Sequence, residues 1–208
     1  MDIGIIGAGN IGATAARLWA GAGHRIALAN SRGPDSLAGT VSAIEGDVRA
    51  ATVPEAAEFG EVVLVAIPLG RYEDLPPAPL AGKIVIDANN YYPRDGAIAE
   101  LDTGATSSSS LLQAHLSGSV VVKALNTMQA ARLGGDGRPA GDPERLALPV
   151  AGGDEEAKRI VVALLDQMGF DGVDAGTLEE SRRQEPGTPV YGAPLTTEGV
   201  REALAAAG

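Results

Sequence analysis

The chain has 208 residues, is 45% hydrophobic and 21% charged, and carries a formal net charge of -11. This composition excludes a mainly disordered chain, and the acidic balance argues against nucleic-acid binding, which needs basic surface to neutralise phosphates. The absence of cysteine excludes disulfides, thiol nucleophiles and thiolate metal sites, and two histidines argue against a histidine metal cluster.

The hydropathy pattern indicates where in the cell the protein is expected. No apolar run approaches the roughly 20 residues that span a bilayer, and the N-terminus lacks the pattern of a signal peptide. We therefore expect a cytoplasmic protein without a membrane partner. The length of the chain allows one domain with an appendage.

The first predicted element is an apolar strand that breaks into the pattern G-x-G-x-x-G and continues as an alanine-rich helix. In this pattern Gly7 permits a tight turn, Gly9 lets the backbone approach a pyrophosphate, and Gly12 lets the helix pack closely on the strand. Free N–H groups and the dipole at the helix N-terminus favour negative charge there. Strand, turn and helix in this order predict a dinucleotide-binding site.

The second predicted strand ends in the sequence Asn30-Ser31-Arg32. An acidic residue at this place typically binds the ribose 2′-hydroxyl of NAD, whereas an arginine accommodates the 2′-phosphate of NADP. Ser31 can donate a hydroxyl hydrogen bond to that phosphate, and Arg32 can pair with it or stack on the adenine. We therefore predict NADP over NAD, with an ordinary solvated loop as the alternative.

Two later apolar runs, residues 61–68 and 83–87, are typical of strands buried on both faces of a parallel sheet. The first ends in a turn whose backbone we expect to line the nicotinamide side of the cofactor; the turn consists of Ala66, Ile67 and Pro68. The second leads into a loop with Asn89, Asn90, Tyr91 and Tyr92. This loop is either a ligand loop or an asparagine-rich structural turn.

A third buried-type strand, residues 119–125, contains Lys123 and leads to Asn126. Lys123 is the only lysine near the predicted edge of the sheet, so a catalytic role is one interpretation. A snorkelling or salt-bridged lysine is the favoured alternative, because long cationic side chains commonly bury only their stems.

The remaining chain continues to alternate strands and helices. Residues 76–82 are predicted to form a stiff connector. Serines before residue 111 predict a helix cap, and His115 is expected at the end of that helix. A strand, a helix and a strand are predicted after residue 145. The pattern predicts an α/β fold with a doubly wound, mostly parallel sheet of the Rossmann type in residues 1–176. Right-handed crossovers would place all the loops between these elements along one edge. Residues 177–208 form a short C-terminal helical arm, and glycine and proline beside Tyr191 indicate that it folds over a pocket or a neighbouring subunit.

The chain resembles the NADP-dependent oxidoreductases that use coenzyme F420. The resemblance covers most of the chain and rests on the opening fingerprint and on residues 30–32, 66–68, 122–127, 174–176 and 181–182. It implies hydride transfer between C4 of NADPH and C5 of the deazaflavin. It departs at Asn126, where family members carry histidine.

The resemblance also implies site residues for both ligands. The diphosphate is expected on the first helical turn, at Gly9, Asn10, Ile11 and Gly12. The 2′-phosphate is expected at Ser31 and Arg32. The deazaflavin is expected against the nicotinamide, over the loops of Pro68, Asn89 and Asn126.

Three functions are compatible with these patterns. Hydride exchange between NADPH and a deazaflavin needs mainly stacked rings about 3–3.5 Å apart and no catalytic side chain. An NADPH-dependent reductase of a small carbonyl, imine or unsaturated metabolite needs a proton donor, for which Lys123 and Tyr91 are the candidates. The third function is a non-catalytic NADPH sensor. The small size of the chain favours hydride exchange with a deazaflavin. It also indicates a homodimer whose tails help to close the sites.

Overall fold

The computed structural model describes residues 1–207, and Gly208, the last residue of the predicted arm, lies outside them. The strands are β1 (Asp2–Ile6), β2 (Arg25–Ala29), β3 (Val48–Ala51), β4 (Val62–Val65), β5 (Ile84–Asp87), β6 (Val120–Lys123), β7 (Ala147–Gly152) and β8 (Asp171–Asp174). They form one sheet in the order β3-β2-β1-β4-β5-β6-β7-β8.

The α-helices lie on both faces of this sheet: α1 (Asn10–Gly21), α2 (Ala38–Ser42), α3 (Val53–Phe59), α4 (Pro77–Leu80), α5 (Ala99–Asp102), α6 (Ser108–His115), α7 (Ala130–Gly135), α8 (Glu155–Gln167) and α9 (Thr197–Ala206). Short 3-10 helices cover Pro34–Leu37, Leu69–Asp74, Pro93–Asp95 and Glu180–Gln184. Within residues 1–207, none of the helices has the length and apolar character needed to cross a membrane.

The first six strands confirm the predicted doubly wound fold. Strands β3, β2, β1, β4, β5 and β6 are all parallel, in the strand order of dinucleotide-binding domains. The strand order reverses between β1 and β4, and ligands of such sheets bind in the crevice outside the carboxyl ends at this point. The fold therefore places the glycine-rich turn and the turn after β4 side by side.

The last two strands correct one expectation. Strand β7 is antiparallel to β6, and β8 is parallel to β7. The loops that follow β7 and β8 therefore lie at the opposite edge, and the prediction of one shared edge for all loops was wrong. A parallel β7 would need a connection that crosses the sheet to its other edge. Here α7, between β6 and β7, packs against α1, and β7 therefore starts at the edge where β6 ends.

Hydrophobic clusters fill both faces of the sheet. On one face α1 and α8 cover the strands, and the fully buried Trp19 joins these helices by donating from Nε1 to the carbonyl of Leu164 at 3.1 Å. On the other face α3 and α6 cover β1, β4, β5 and β6. Residues on both faces of the central strands are buried, which explains the continuous apolar runs in the sequence.

Several helix starts follow the sequence prediction. Thr52 and Glu55 form a reciprocal capping box at the start of α3, and Ser107 caps α6 by accepting from the backbone N–H of Ser110 at 3.0 Å. The connector 76–82 was predicted as a simple linker, but it contains α4. Proline at the first helical positions of α4 fits because those N–H groups have no intrahelical acceptor.

The C-terminal arm folds over its own chain. The hydroxyl of Ser107 donates to the carbonyl of Leu178 at 2.7 Å, and the N–H of Gly192 donates to the carbonyl of Thr127 at 2.9 Å. Helix α9 then packs on β7 and β8 through the buried Val200 and Leu204. The arm thereby runs back to the carboxyl ends of β5 and β6, while its boundary at residue 176 stays a prediction.

Candidate functional site

The three glycines of the fingerprint meet different surroundings. Gly7 has a φ of +113°, and a Cβ there would lie 2.1 Å from the carbonyl oxygen of Ala66. A Cβ at Gly12 would lie 1.8 Å from the carbonyl oxygen of Gly7, so helix α1 packs directly on the turn. A Cβ at Gly9 would meet no protein atom within 4 Å. Gly7 and Gly12 are therefore required by the fold, whereas Gly9 leaves open space in front of the helix.

The N-terminus of α1 presents unpaired backbone donors. Its N-cap residue, Gly9, makes no side-chain capping bond, and its first turn contains no acidic residue. The first intrahelical hydrogen bond runs from the N–H of Ala13 to the carbonyl of Gly9 at 2.9 Å. The N–H groups of the predicted residues Asn10, Ile11 and Gly12 therefore precede the helical ladder and, with the helix dipole, form a site for an anion.

A cleft of about 380 Å³ opens beside this helix end, and we call it the first cleft. It lies between the carboxyl ends of β2, β1 and β4. Its lining includes seven residues predicted from the sequence: Gly7, Gly9, Ser31, Arg32, Ala66, Ile67 and Pro68. It also contains Ile6, Ala8, Asn30, Val53, Arg71, Asp74 and Leu75.

The loop after β2 presents a cation to the first cleft. Asn30 Oδ1 accepts from the backbone N–H of Arg32 at 2.9 Å, and Asn30 Nδ2 donates to Ser36 Oγ at 2.9 Å. Ser31 and Arg32 are exposed, and in residues 1–207 the guanidinium of Arg32 makes no ion pair. Asn30 thus shapes the turn, and Arg32 is available to an anionic ligand.

Sequence reasoning missed a second cation in the first cleft. Arg71 lies on the 3-10 helix after the Ala66-to-Pro68 turn and forms an ion pair with Asp74, which also lines the cleft. This pairing neutralises both charges locally, so Arg32 carries the uncompensated positive charge. The available signal in the sequence was Pro68, because a proline directly after a strand indicates a turn. Arg71 follows that turn closely.

A second cleft of about 380 Å³ lies on the other side of the α1 N-terminus. Both clefts border the start of α1, because Gly9 lines the first and Asn10 lines the second. The second cleft is formed by the first turn of α1, the ends of β5 and β6, and the arm. Its lining is Asn10, Ile11, Ala88, Asn90, Leu125, Asn126, Thr127, Met128, Gln129, Ala130, Tyr191 and Gly192.

The backbone turns sharply where β6 enters the second cleft. Leu125 has a φ of 65° and is 1% exposed, so a bulky side chain is held in the left-handed region. Such strain typically costs about 1–3 kcal/mol and persists where the surroundings impose it, often near functional sites. Here the turn brings Asn126 under the arm.

The predicted residue Asn126 is held by protein partners. Its Nδ2 donates to Asn90 Oδ1 at 3.1 Å and to the carbonyl of Gln184 at 2.8 Å, while its Oδ1 accepts from Gln184 Nε2 at 2.9 Å. Asn126 is 4% exposed. Its side chain therefore joins the loop after β5 to the arm, and it lines the second cleft without a free polar atom.

The predicted residue Asn89 lies behind the first cleft and lines neither cleft. Its Oδ1 accepts from the backbone N–H of Ile67 at 2.8 Å, so it holds the turn after β4. Its Nδ2 is buried without a hydrogen-bond partner in residues 1–207. A buried unpaired donor is costly and is often explained by a water or a ligand.

Lys123 forms a fully buried ion pair with Asp87. Its Nζ donates to Asp87 Oδ2 at 3.2 Å, to the carbonyl of Asn89 at 2.6 Å and to Ser108 Oγ at 3.2 Å. Asp87 Oδ2 also accepts from Ser109 Oγ at 2.6 Å. Both charged side chains are 0% exposed, which confirms the salt-bridged interpretation and removes Lys123 from contact with a ligand.

The tyrosines after β5 have different environments. The Tyr91 hydroxyl donates to Asp102 Oδ1 at 2.6 Å and accepts from the N–H of Ile98, and burial raises its pKa. Tyr91 lines neither cleft. Tyr92 instead shares a hydrogen bond with Tyr191, which lines the second cleft. Burial, followed by this hydrogen bond, raises the pKa of Tyr191 to about 12.

Residues 1–207 contain no cluster of three or more histidine or acidic side chains placed to bind a metal ion.

Comparisons with known proteins point to one family. Residues 2–91 match the family model described as NADP oxidoreductase coenzyme F420-dependent. The F420-dependent NADP reductase of Methanocaldococcus jannaschii is 30% identical in an alignment of 165 positions that covers 71% of this chain and 67% of that protein.

Two solved structures are similar over nearly their whole length. A hypothetical protein from Sinorhizobium meliloti is 33% identical, with a TM-score of 0.81 over 93% of this chain and 94% of that chain. A proposed F420-dependent NADP reductase from Arthrobacter sp. FB24 is 28% identical, with a TM-score of 0.75 over 88% of this chain and 87% of that chain.

Proposed function

The chain belongs to the family of coenzyme F420-dependent NADP oxidoreductases, and from this premise we propose that it transfers a hydride between NADPH and coenzyme F420. The observation that carries the proposal is that two clefts border the N-terminus of α1. One cleft has the features of a dinucleotide site, and the other gives a second ligand access to the same helix end.

The first cleft fits NADP on three structural observations. The unpaired N–H groups at the start of α1 suit the diphosphate. The open space in front of Gly9 lets a phosphate reach these groups. The exposed Ser31 hydroxyl and the unpaired Arg32 guanidinium suit the 2′-phosphate, which NAD lacks.

The nicotinamide end is proposed to extend from Gly9 toward the turn of residues 66–68. Asn89 fixes this turn by accepting a hydrogen bond from the backbone N–H of Ile67. When bound, NADPH supplies the hydride that leaves C4 of its nicotinamide ring. The protein's task is to bind both ligands, hold their rings face to face and exclude water from the gap.

The second cleft is the proposed place of the deazaflavin, which is a substrate here. Its walls are mostly apolar or amide groups, including Leu125, Met128 and Asn126. A flat heterocycle can bind such a surface without a catalytic acid. We propose that Asn126 contacts the deazaflavin by van der Waals packing and not by a hydrogen bond, because protein groups already occupy its amide group.

The structure removes both proton donors that the sequence offered for a carbonyl or imine reductase. Of the two candidate proton donors, Lys123 is completely buried in its ion pair and Tyr91 lies outside both clefts. An NADPH sensor would need only the first cleft, and the second cleft favours an enzyme.

A direct assay tests the proposed function. Purified protein is mixed with NADPH and oxidised coenzyme F420, and the visible absorbance of the deazaflavin is followed, with NADH in a parallel reaction. We expect rapid bleaching with NADPH and much slower bleaching with NADH. Tight NADPH binding without bleaching would contradict the proposed acceptor and favour a different substrate or a sensor.

We further propose a cytoplasmic homodimer that binds neither nucleic acid nor membranes. The net charge of -11 supports the exclusion of nucleic acid. Because the arm already covers the second cleft of its own chain, the dimer is not needed to complete the site. Analytical ultracentrifugation at micromolar concentration tests the dimer, and a monomer mass would contradict it.

A further inference from the structure

The hydroxyl pair of Tyr92 and Tyr191 has no role in the function proposed above. Tyr92 belongs to the loop after β5, and Tyr191 belongs to the arm, 99 residues away in sequence. Of the two, only Tyr191 lines the second cleft. The pair therefore joins a tyrosine in the wall of the cleft to one that does not line it.

Hydrogen counting leaves the pair with one unused donor. Each phenol has one O–H, and a single hydrogen bond joins the two oxygens. Within residues 1–207, no other hydrogen bond engages either hydroxyl. When Tyr92 donates to Tyr191, the proton of Tyr191 remains available to a further acceptor. The raised pKa of Tyr191, about 12, keeps this proton in place at neutral pH.

Tyr191 is also held firmly in position. Its neighbour Val190 is 2% exposed and packs among the apolar residues that anchor the arm. Gly192, on the other side, donates its N–H to Thr127 at 2.9 Å. The exposed Asn10 and Gln129 in the same cleft have no comparable anchors. A fixed aromatic ring with one polar end can contact a flat ligand and orient it.

We propose that Tyr191 is a substrate-binding residue whose hydroxyl donates a hydrogen bond to a ring carbonyl oxygen of the deazaflavin in the second cleft. This proposal rests on the function proposed above and names one residue that selects and orients its acceptor. In this arrangement the Tyr92 hydroxyl donates to Tyr191 and leaves the Tyr191 proton to the substrate. Arg94, stacked 4.6 Å from the centre of the Tyr92 ring, supports that ring from behind.

The test compares Tyr191→Phe with Tyr92→Phe, which remove the two ends of the same hydrogen bond and keep both rings. Tyr72→Phe is the matched control, because that hydroxyl contacts only Glu73 and lines neither cleft. The dissociation constant of oxidised coenzyme F420 is measured from its own fluorescence in the presence of NADP. The Kd for NADPH, the KM for coenzyme F420, kcat and the Tm are measured on the same preparations.

For Tyr191→Phe we expect Kd and KM for coenzyme F420 to rise roughly three- to tenfold, the loss expected for one hydrogen bond between neutral groups. The Kd for NADPH should not change. Tyr92→Phe should stay within about twofold of wild type for both ligands, because Tyr191 keeps its own donor. Tyr72→Phe should match the wild-type protein.

Two results would overturn the proposal. If Tyr191→Phe binds coenzyme F420 like wild type, the hydroxyl makes no contact with the substrate. If both variants weaken binding equally and lower the Tm equally, the pair only ties the arm to the loop after β5. Wild-type protein that does not bind coenzyme F420 would instead overturn the proposed function and this inference together, a result visible without any variant.

Discussion

Arg32 is the residue on which cofactor choice depends. It is exposed and unpaired in residues 1–207, while Arg71, the other arginine of the first cleft, is neutralised by Asp74. For Arg32→Ala we expect the Kd for NADPH to rise roughly 10- to 100-fold, as for the loss of a charge-assisted hydrogen bond. The Kd for NADH should change little. Isothermal titration with both nucleotides checks this, and equal losses for the two would contradict a 2′-phosphate contact.

Lys123 is expected to act on stability rather than on chemistry. Lys123→Met would leave the buried carboxylate of Asp87 without its cation, and such losses typically cost about 3–5 kcal/mol. Urea unfolding should show this loss directly. The double variant Lys123→Met with Asp87→Leu removes both charges and should recover part of it. Full stability of the single variant would contradict the interpretation of a structural ion pair.

At the scale of the element, the turn from β1 into α1 combines two kinds of glycine. Gly12→Ala should destabilise the fold by several kcal/mol, because its Cβ would overlap the carbonyl oxygen of Gly7. Gly9→Ala should leave the Tm nearly unchanged, because its Cβ meets no protein atom and its φ of -76° suits alanine.

The same substitution of Gly9 should weaken NADPH binding, since the added methyl group occupies the space proposed for the diphosphate. Thermal unfolding and fluorescence titration of both variants check this contrast. A Gly9→Ala protein that binds NADPH like wild type would show that the diphosphate does not approach this turn.

The sequence predicts this element well because its determinants are local. The fingerprint, the capping box of α3 and the apolar runs each specify a strand or helix within about ten residues. Features set by distant partners were missed or left open. Asn126 meets Gln184 across 58 residues of sequence, and no local pattern indicates such a pairing. The antiparallel β7 was missed for the same reason, since the path of α7 is set by its packing on α1.

At the scale of the whole molecule, the arm turns a dinucleotide-binding sheet into a two-ligand site. Sequence reasoning identified half of the first cleft, because seven of its fourteen lining residues follow from strand ends and the glycine pattern. For the second cleft it indicated Asn126, the first turn of α1, the loop of Asn90 and the arm at Tyr191, but not how they come together. The contribution of the arm depends on its folding back across the sheet, which places Tyr191 beside residues that follow β5 and β6.

The central claim is that a hydride passes directly between two ligands, bound in the two clefts that border the start of α1. The measurement that tests it most directly uses NADPH carrying deuterium at both C4 positions, with oxidised coenzyme F420 in ordinary water. Mass spectrometry and NMR of the reduced deazaflavin then locate the label. We predict one deuterium at C5 of the product for each turnover. Reduced product without deuterium, or no reduced product at all, would contradict direct transfer between the two clefts.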